Sequence, residues 1–179
     1  MTLKMLNYLF VILAVSIPNL ANSSLNCETL KDGMREGVIV KVADGDTASL
    51  KISSSNQIVQ IRFYGVDTPE SKWTGKWPAQ AYSSEAKQFT KSKLLGQKVL
   101  VNFNGGGTHN RCVGEIFING SSHSLNLIGG GYGWWYKRFS RQRLDFKHAQ
   151  ESASLKRKGL WADSDPDAPW DYRRSYRSH

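Results

Sequence analysis

Two short motifs in the chain carry acidic residues of the kind that bind a divalent cation. Asp46 belongs to the motif DGDT, and Asp67 and Glu70 belong to the motif VDTPE. Hard cations such as Ca²⁺ take several oxygen ligands from carboxylates, backbone carbonyls and water. We therefore predict that Asp46 and Asp67 are metal ligands. Thr68 would add its carbonyl oxygen, and Glu70 would reach a metal-bound water. Each acid taken singly is more typical of a turn or of a helix start.

Two arginines could complete such a site. Arg62 stands five residues before Asp67, and Arg111 follows a glycine-rich stretch. Guanidinium groups bind phosphate bidentately, and fixed cations stabilise the charge of a phosphoryl transition state. Because five is an odd offset, a regular strand would send Arg62 and Asp67 to opposite faces. The prediction thus requires the chain to bulge or to leave the sheet at Gly65. For Arg111 the alternative is an ordinary solvated arginine at a strand end.

Short strands must position these side chains. Alternating valines at positions 38, 40 and 42 predict a first strand, and residues 47–53 and 57–64 predict two more, joined by tight turns. Residues 98–103 and 111–118 predict a fourth and a fifth strand.

Three helices are predicted around these strands, over residues 78–96, 124–129 and about 141–158, with Phe146, Ala149 and Ala153 facing inward in the last one. Five short strands with a helix after the third and more helix at the end are typical of an OB barrel. The predicted fold class is therefore α+β, mainly β: a five-stranded OB-fold barrel with about three helices.

The N-terminal residues have the composition of a targeting segment. Lys4 is the one charged residue before Glu28, and residues 9–15 are wholly apolar. A short apolar run behind a cationic start is typical of a secretory signal, which would make the mature protein secreted or periplasmic. The alternative is an uncleaved membrane anchor, although the run is shorter than the roughly 20 apolar residues that span a bilayer.

The predicted organisation has four parts. Residues 1–23 are a signal peptide, 24–34 an N-terminal segment, 35–162 the barrel domain, and 163–179 a C-terminal tail. The length of 179 residues suits one domain.

The charge of the chain indicates a polyanionic partner. Its formal net charge is +9 and its pI is about 9.6. Nucleic acid or an anionic membrane surface would suit this charge. The absence of a long amphipathic basic sequence disfavours a membrane-surface protein. We expect a monomer with no stable membrane association once the signal is removed.

Cys27 and Cys112 both lie after the predicted signal. In an oxidising compartment they could form a disulfide that ties the N-terminal segment to the barrel. The alternative of two separate thiols stays open, because the sequence does not place their Cα atoms within bonding range.

Taken together, the motifs resemble the staphylococcal nuclease (thermonuclease) family. The resemblance lies in DGDT, in the pattern R-x-x-x-x-D-T-P-E from Arg62 to Glu70, in the arginine opening the fifth strand, and in the run from Ala149 to Trp161. It covers roughly residues 35–161. The family fold is an OB barrel with added helices, which agrees with the strand count.

This resemblance implies a calcium site and a general base. Asp46 and Asp67 would be calcium ligands, and the carbonyl of Thr68 would complete the share of the protein. Glu70 would take a proton from the attacking water.

The two arginines would then hold the phosphate and offset its developing charge. The implied reaction is calcium-dependent cleavage of DNA and RNA with low sequence specificity, leaving 3′-phosphates. The alternative is an OB barrel that binds nucleic acid without cutting it. Carboxylates facing phosphate weigh against that alternative, because they weaken binding unless a metal neutralises them.

Two features depart from the family pattern or leave alternatives open. Family members usually carry Asp-basic-Tyr-Gly before the fifth-strand arginine, whereas residues 107–110 read GTHN, so one basic phosphate contact is missing. His109 either contacts the substrate or is a loop histidine without such a role. Residues 134–138 (WWYKR) interleave aromatics with cations, which is typical of single-strand binding surfaces, or they belong to the core.

Overall fold

A five-stranded closed barrel forms the centre of the protein. The computed structural model describes residues 27–31, 33–108 and 111–177. The order of the strands in the sheet is Ile58–Phe63 (β3), Thr47–Ile52 (β2), Gly33–Asp44 (β1), Lys98–Thr108 (β5) and Arg111–Ile118 (β6). A parallel pairing of β3 with β6 closes the barrel, while all the other pairings among these strands are antiparallel. This closed mixed barrel with added helices confirms the predicted OB-type fold.

Most strands come before most helices along the chain. The strands are β1 Gly33–Asp44, β2 Thr47–Ile52, β3 Ile58–Phe63, β4 Val66–Asp67, β5 Lys98–Thr108, β6 Arg111–Ile118, β7 Ser121–Ser122 and β8 Trp134–Trp135. The helices are α1 Cys27–Leu30, α2 Ser83–Leu94, α3 His123–Gly130, α4 Lys137–Ser140, α5 Leu144–Leu155, the 3₁₀ helix Gly159–Ala162 and α6 Pro169–Ser175.

Strand alternation fills the barrel interior with large apolar side chains. In β3 the buried residues are Val59, Ile61 and Phe63, and the residues between them face outward. Because side chains alternate along a strand, Arg62 is directed to the outside of the barrel. The interior packing therefore fixes the backbone on which this arginine sits.

The three longest helices correspond to the three predicted ones. Helix α2 begins at Ser83 instead of residue 78, since the backbone N–H of Gln80 bonds to the carbonyl of Glu70 and Tyr82 has a positive φ of 64°. The predicted helix over residues 141–158 is shorter in the structure, where α5 covers Leu144–Leu155 and the separate α4 precedes it. Phe146 and Ala153 are buried as expected, and Ala149 is partly buried against the core. The shorter helices α1 and α6 were not predicted.

A disulfide joins Cys27 in α1 to Cys112 in β6, with the two Cα atoms 5.1 Å apart. Of the two alternatives that the sequence left open, the structure therefore has the bridge. It ties the first described residues to the strand that begins with Arg111. Over the described residues, none of the helices has the length and apolar character needed to cross a membrane. The predicted signal peptide, residues 1–23, lies outside the described residues.

Candidate active site

Asp46 is one of two fully buried acids of the site, together with Asp67. It lies in the tight turn between β1 and β2 and has no exposed surface. Its Oδ2 accepts a hydrogen bond of 2.9 Å from the backbone N–H of Thr68, and its Oδ1 accepts one from Arg62 Nη1. Burial raises the pKa of Asp46 well above its ordinary value, and the charge of Arg62 opposes that shift. A buried carboxylate of this kind is stabilised by any cation at the same place.

Arg62 brings Asp46 and Asp67 together. Its Nη1 donates to Asp46 and its Nη2 donates to Asp67, so one guanidinium spans both carboxylates. The backbone geometry that this contact requires is found at Gly65, which has a φ of +73° and separates β3 from β4. A Cβ there would lie 2.5 Å from Phe146, so glycine suits both the turn and the packing.

Glu70 is placed by Gln80. The side-chain Oε1 of Gln80 accepts a 3.0 Å hydrogen bond from the N–H of Glu70, and the N–H of Gln80 donates to the carbonyl of Glu70 over 2.9 Å. Burial raises the pKa of Glu70, and a hydrogen bond from Arg173 opposes that shift. Two hydrogen bonds thus hold the backbone of Glu70, and its carboxylate shares Arg173 as a partner with Asp67.

Arg173 is the site residue that the sequence analysis missed. Its Nη2 donates to Oδ2 of Asp67 over 2.8 Å, and its Nη1 donates to Oδ1 of Asp67 over 3.3 Å and to Glu70. It comes from α6, in the segment predicted to be a tail. No local sequence motif indicates this role, because the contact joins residues more than a hundred positions apart in the chain.

Arg111 lies on the same outer face as Arg62. In the parallel pairing of β3 with β6, Arg62 is opposite Val113, and Arg111 is two residues before Val113 on β6. Residues two apart on a strand share a face. Arg111 is exposed, and its side chain forms neither a hydrogen bond nor an ion pair with any residue in the described part of the chain. Its guanidinium is therefore available to an incoming anion.

A buried hydrogen-bond chain supports the turn that carries Asp46. The hydroxyl of Thr90 in α2 donates to the carbonyl of Gly45 over 2.6 Å, and Nε2 of His123 lies 3.0 Å from the same hydroxyl. Since the hydroxyl proton is used on Gly45, His123 must donate from Nε2. Burial, and to a smaller extent the charge of Lys93, lowers the pKa of His123 to about 4. The imidazole is therefore neutral, and it supports the turn through its hydrogen bond to Thr90.

Comparison with known proteins matches this site to one family. Residues 60–163 match the family model described as "Staphylococcal nuclease homologue", which is more than half of the chain. The chain belongs to the staphylococcal nuclease family. This membership, which the motifs predicted, makes it a nuclease, that is, a phosphodiester hydrolase.

Similar proteins occur in bacteria, yeast and plants. An "Uncharacterized endonuclease" of Haemophilus influenzae is 31% identical over 137 residues, covering 76% of this chain and 71% of that protein. A "Probable endonuclease LCL3" of Komagataella phaffii is 34% identical over 131 residues, covering 68% and 57%. A "Probable staphylococcal-like nuclease CAN1" of Oryza sativa subsp. japonica is 33% identical over 119 residues, covering 66% of this chain and 34% of that protein.

The oxygen donors of this nuclease site fit a hard cation in part. Asp46 and Asp67 are buried and both contact the guanidinium of Arg62, so one cationic group already pairs with both carboxylates. Within the described ranges, however, no group of three or more His, Cys, Asp or Glu side chains has a metal-binding arrangement. Calcium takes six to eight oxygen ligands, so backbone carbonyls and water would have to supply the rest. The contact that Thr68 makes with Asp46 uses its N–H.

The remaining predicted contacts divide between core and surface. Trp135 is buried, with its Nε1 donating to the hydroxyl of Ser140 over 2.9 Å, whereas Lys137 and Arg138 are exposed. Trp134 packs on Trp161 and Trp170, with ring centroids 4.4 and 5.8 Å away. His109 lies outside the described residues.

Proposed function

We propose that this phosphodiester hydrolase is an exported, calcium-dependent endonuclease that cleaves DNA and RNA with low sequence specificity and leaves 3′-phosphates. The observation that carries the proposal is the convergence of Asp46, Arg62, Asp67 and Glu70 at one rim of the barrel. The basic chain, with a net charge of +9, favours a polyanionic substrate.

Asp46 and Asp67 would hold the calcium ion, together with backbone oxygen from Thr68 and water. When bound, the ion would polarise the phosphate and orient the attacking water. The buried carboxylates supply negative charge that burial alone makes costly, so their fit to a cation is electrostatically favourable. Calcium binding to the folded protein would also add stability, which would rise with the logarithm of the calcium concentration above the Kd.

Glu70 would act as the general base. It takes one proton from the water whose oxygen bonds to phosphorus, while the bond from phosphorus to the 5′-oxygen breaks and that oxygen takes up a proton from solvent. The strand end released in this way keeps its phosphate on the 3′-oxygen. The fixed loop around Gln80 holds Glu70 for this task.

Arg62 and Arg111 would bind the phosphate and offset the charge that develops on it. Both lie on the outer face of the β3–β6 pair, and Arg111 is exposed. Phosphate and sugar contacts carry no base information, so a site built on them favours low sequence specificity.

Export is supported by the disulfide between Cys27 and Cys112. Structural disulfides form in oxidising compartments and are rare in the cytosol. A free-thiol assay on protein purified from its native host, before and after reduction, tests this part. Two titratable thiols before reduction would contradict it.

The experiment that tests the activity incubates purified protein with plasmid and single-stranded DNA in calcium or in chelator. Cleavage in calcium alone, with 3′-phosphates found by end-labelling, is the expected result. Retained binding without cleavage in calcium would instead establish a nucleic-acid-binding OB protein. Cleavage that survives the chelator would remove calcium from the proposal.

A further inference from the structure

We propose that Arg173 is a third phosphate-binding arginine of this site, which pairs with Asp67 and Glu70 in the free protein and turns to the nucleic-acid phosphate when calcium and substrate bind. The proposal rests on the nuclease function given above and adds a residue to it. It assigns a function to the C-terminal segment, residues 163–177.

Arg173 lies between the two acids that the chemistry needs. Both of its Nη atoms donate hydrogen bonds to Asp67, and Nη1 also donates one to Glu70. Its side chain is 22% exposed, similar to the 27% of Arg62, so both side chains are partly open to solvent. A group in this position meets any phosphate that approaches Glu70.

The helix that carries Arg173 is held on the barrel by other contacts. The side-chain Nε2 of Gln80 donates to the carbonyl of Asp167 over 2.6 Å, and the hydroxyl of Tyr172 contacts the carbonyl of Pro78. The ring of Trp170 packs on Trp134 and Tyr136. Arg173 is therefore delivered by an anchored element, and the side chain can change partners without moving the helix.

Gln80 also links the helix to the base. It contacts Asp167 through Nε2 while its Oε1 and its backbone hold Glu70. A single side chain thus connects the segment before α6 to the catalytic loop, by which we mean the loop between β4 and α2 that carries Glu70. This arrangement indicates that α6 is part of the site and not a cover laid over it.

Electrostatics explains why Arg173 would change partners. Three carboxylates, Asp46, Asp67 and Glu70, are paired with only two guanidinium groups in the free protein. Asp67 would be neutralised by a divalent ion held beside it, and the charge of that ion would repel the nearby Arg173. A phosphate entering with it offers the same bidentate geometry as a carboxylate, with more charge.

The test compares three variants with the wild type. Arg173→Ala removes the guanidinium, Arg173→Lys keeps the charge but not the bidentate geometry, and Arg174→Ala is the matched control on the same helix. Arg174 is 74% exposed on its side chain and pairs with Asp171. Thermal melting establishes that each variant is folded, and Arg173→Lys serves if Arg173→Ala is not.

Three measurements are made. Calcium affinity without nucleic acid is measured by calorimetry, oligonucleotide affinity in calcium is measured in a Glu70→Gln background, and kcat/KM is measured for cleavage. For Arg173→Ala we expect calcium to bind about tenfold more tightly because a nearby positive charge is gone. We expect oligonucleotide binding to weaken about tenfold and kcat/KM to fall about 100-fold. Arg173→Lys should be intermediate and Arg174→Ala close to wild type.

Other outcomes overturn the proposal. Faster cleavage by Arg173→Ala would show that Arg173 inhibits the site. Unchanged cleavage would show that its ion pairs with Asp67 and Glu70 are only structural. A loss shared equally by Arg174→Ala would show a general charge effect. If the wild type does not cut DNA, the nuclease function fails by itself, while the calcium and oligonucleotide affinities still decide whether Arg173 exchanges carboxylate for phosphate.

Discussion

The barrel rim and the C-terminal segment supply the same kind of group by different means. Arg62 on β3 and Arg173 on α6 each bridge two carboxylates, and Asp67 is shared by both. Arg62 sits on a strand paired on both sides, with β2 and with β6. Arg173 sits on a seven-residue helix held mainly by aromatic and carbonyl contacts.

This difference indicates how the two regions divide the work. The barrel holds groups whose removal affects both folding and chemistry, since its acids are buried. The C-terminal segment adds a cation whose removal should affect chemistry more than folding. The four predictions below test this division, in order of decreasing effect.

The largest effect is expected from Glu70→Gln. Removing the base should lower kcat by about 10³-fold or more, while oligonucleotide affinity in calcium stays within about twofold, since the amide keeps the shape of the side chain. Rates of plasmid cleavage and fluorescence anisotropy measure the two quantities. Glu85→Gln, an exposed acid on α2, is the control. Equal losses of rate and affinity would show that Glu70 is structural.

Arg62→Ala should destabilise the protein where Arg111→Ala does not. Without Arg62 the buried Asp46 and Asp67 lose a shared partner, so the free energy of unfolding in chelator should fall by about 3 kcal/mol, and calcium should restore part of it. Arg111 is exposed, so its variant should stay within about 0.5 kcal/mol of wild type. Both variants should lose about 100-fold in kcat/KM.

Urea denaturation with and without calcium measures these stabilities. If Arg111→Ala proves as destabilising as Arg62→Ala, then Arg111 supports the fold as much as Arg62 does, which contradicts the difference between the two arginines described above. If calcium adds nothing to Arg62→Ala, Asp46 and Asp67 do not hold the ion.

His123 should make the barrel sensitive to acid. Its pKa is about 4 in the folded protein against an ordinary 6.5, so the unfolded chain binds a proton first as the pH falls. The free energy of unfolding therefore has its full value with respect to His123 above pH 6.5. It falls progressively as the pH is lowered to about 4, by at most about 3 kcal/mol. The stability difference between wild type and His123→Gln, measured from pH 7 to pH 4.5, should follow that course. His148→Gln, on the exposed face of α5, should leave the wild-type profile unchanged.

The smallest effect is expected from Trp170→Ala. Loss of its packing on Trp134 and Tyr136 should loosen α6, lower kcat/KM about tenfold by misplacing Arg173, and reduce the free energy of unfolding by about 1 kcal/mol. Leu155→Ala, which truncates a side chain that is 85% exposed, is the control. Global unfolding of Trp170→Ala would mean that the C-terminal segment supports the barrel as strongly as the strands do.

Most of the candidate site could be predicted from the sequence because Asp46 and the motif from Arg62 to Glu70 lie close together in the chain. The odd spacing between Arg62 and Asp67 required a break at Gly65, and the structure has one. The start of α2 was placed too early because proline is typical of a first helical turn, whereas the local backbone is used to hold Glu70. Tertiary contacts overrode the local preference.

Local patterns in the sequence determined the strands, the barrel class and the motifs with Asp46, Arg62, Asp67 and Glu70, because side-chain alternation and turn residues act over a few positions. Only the closed tertiary structure decided that Arg173 reaches Asp67, that Cys27 meets Cys112, and that Gln80 links the tail to the catalytic loop. These contacts join residues far apart in the chain, and their geometry exists only after the barrel has closed and its helices have packed on it.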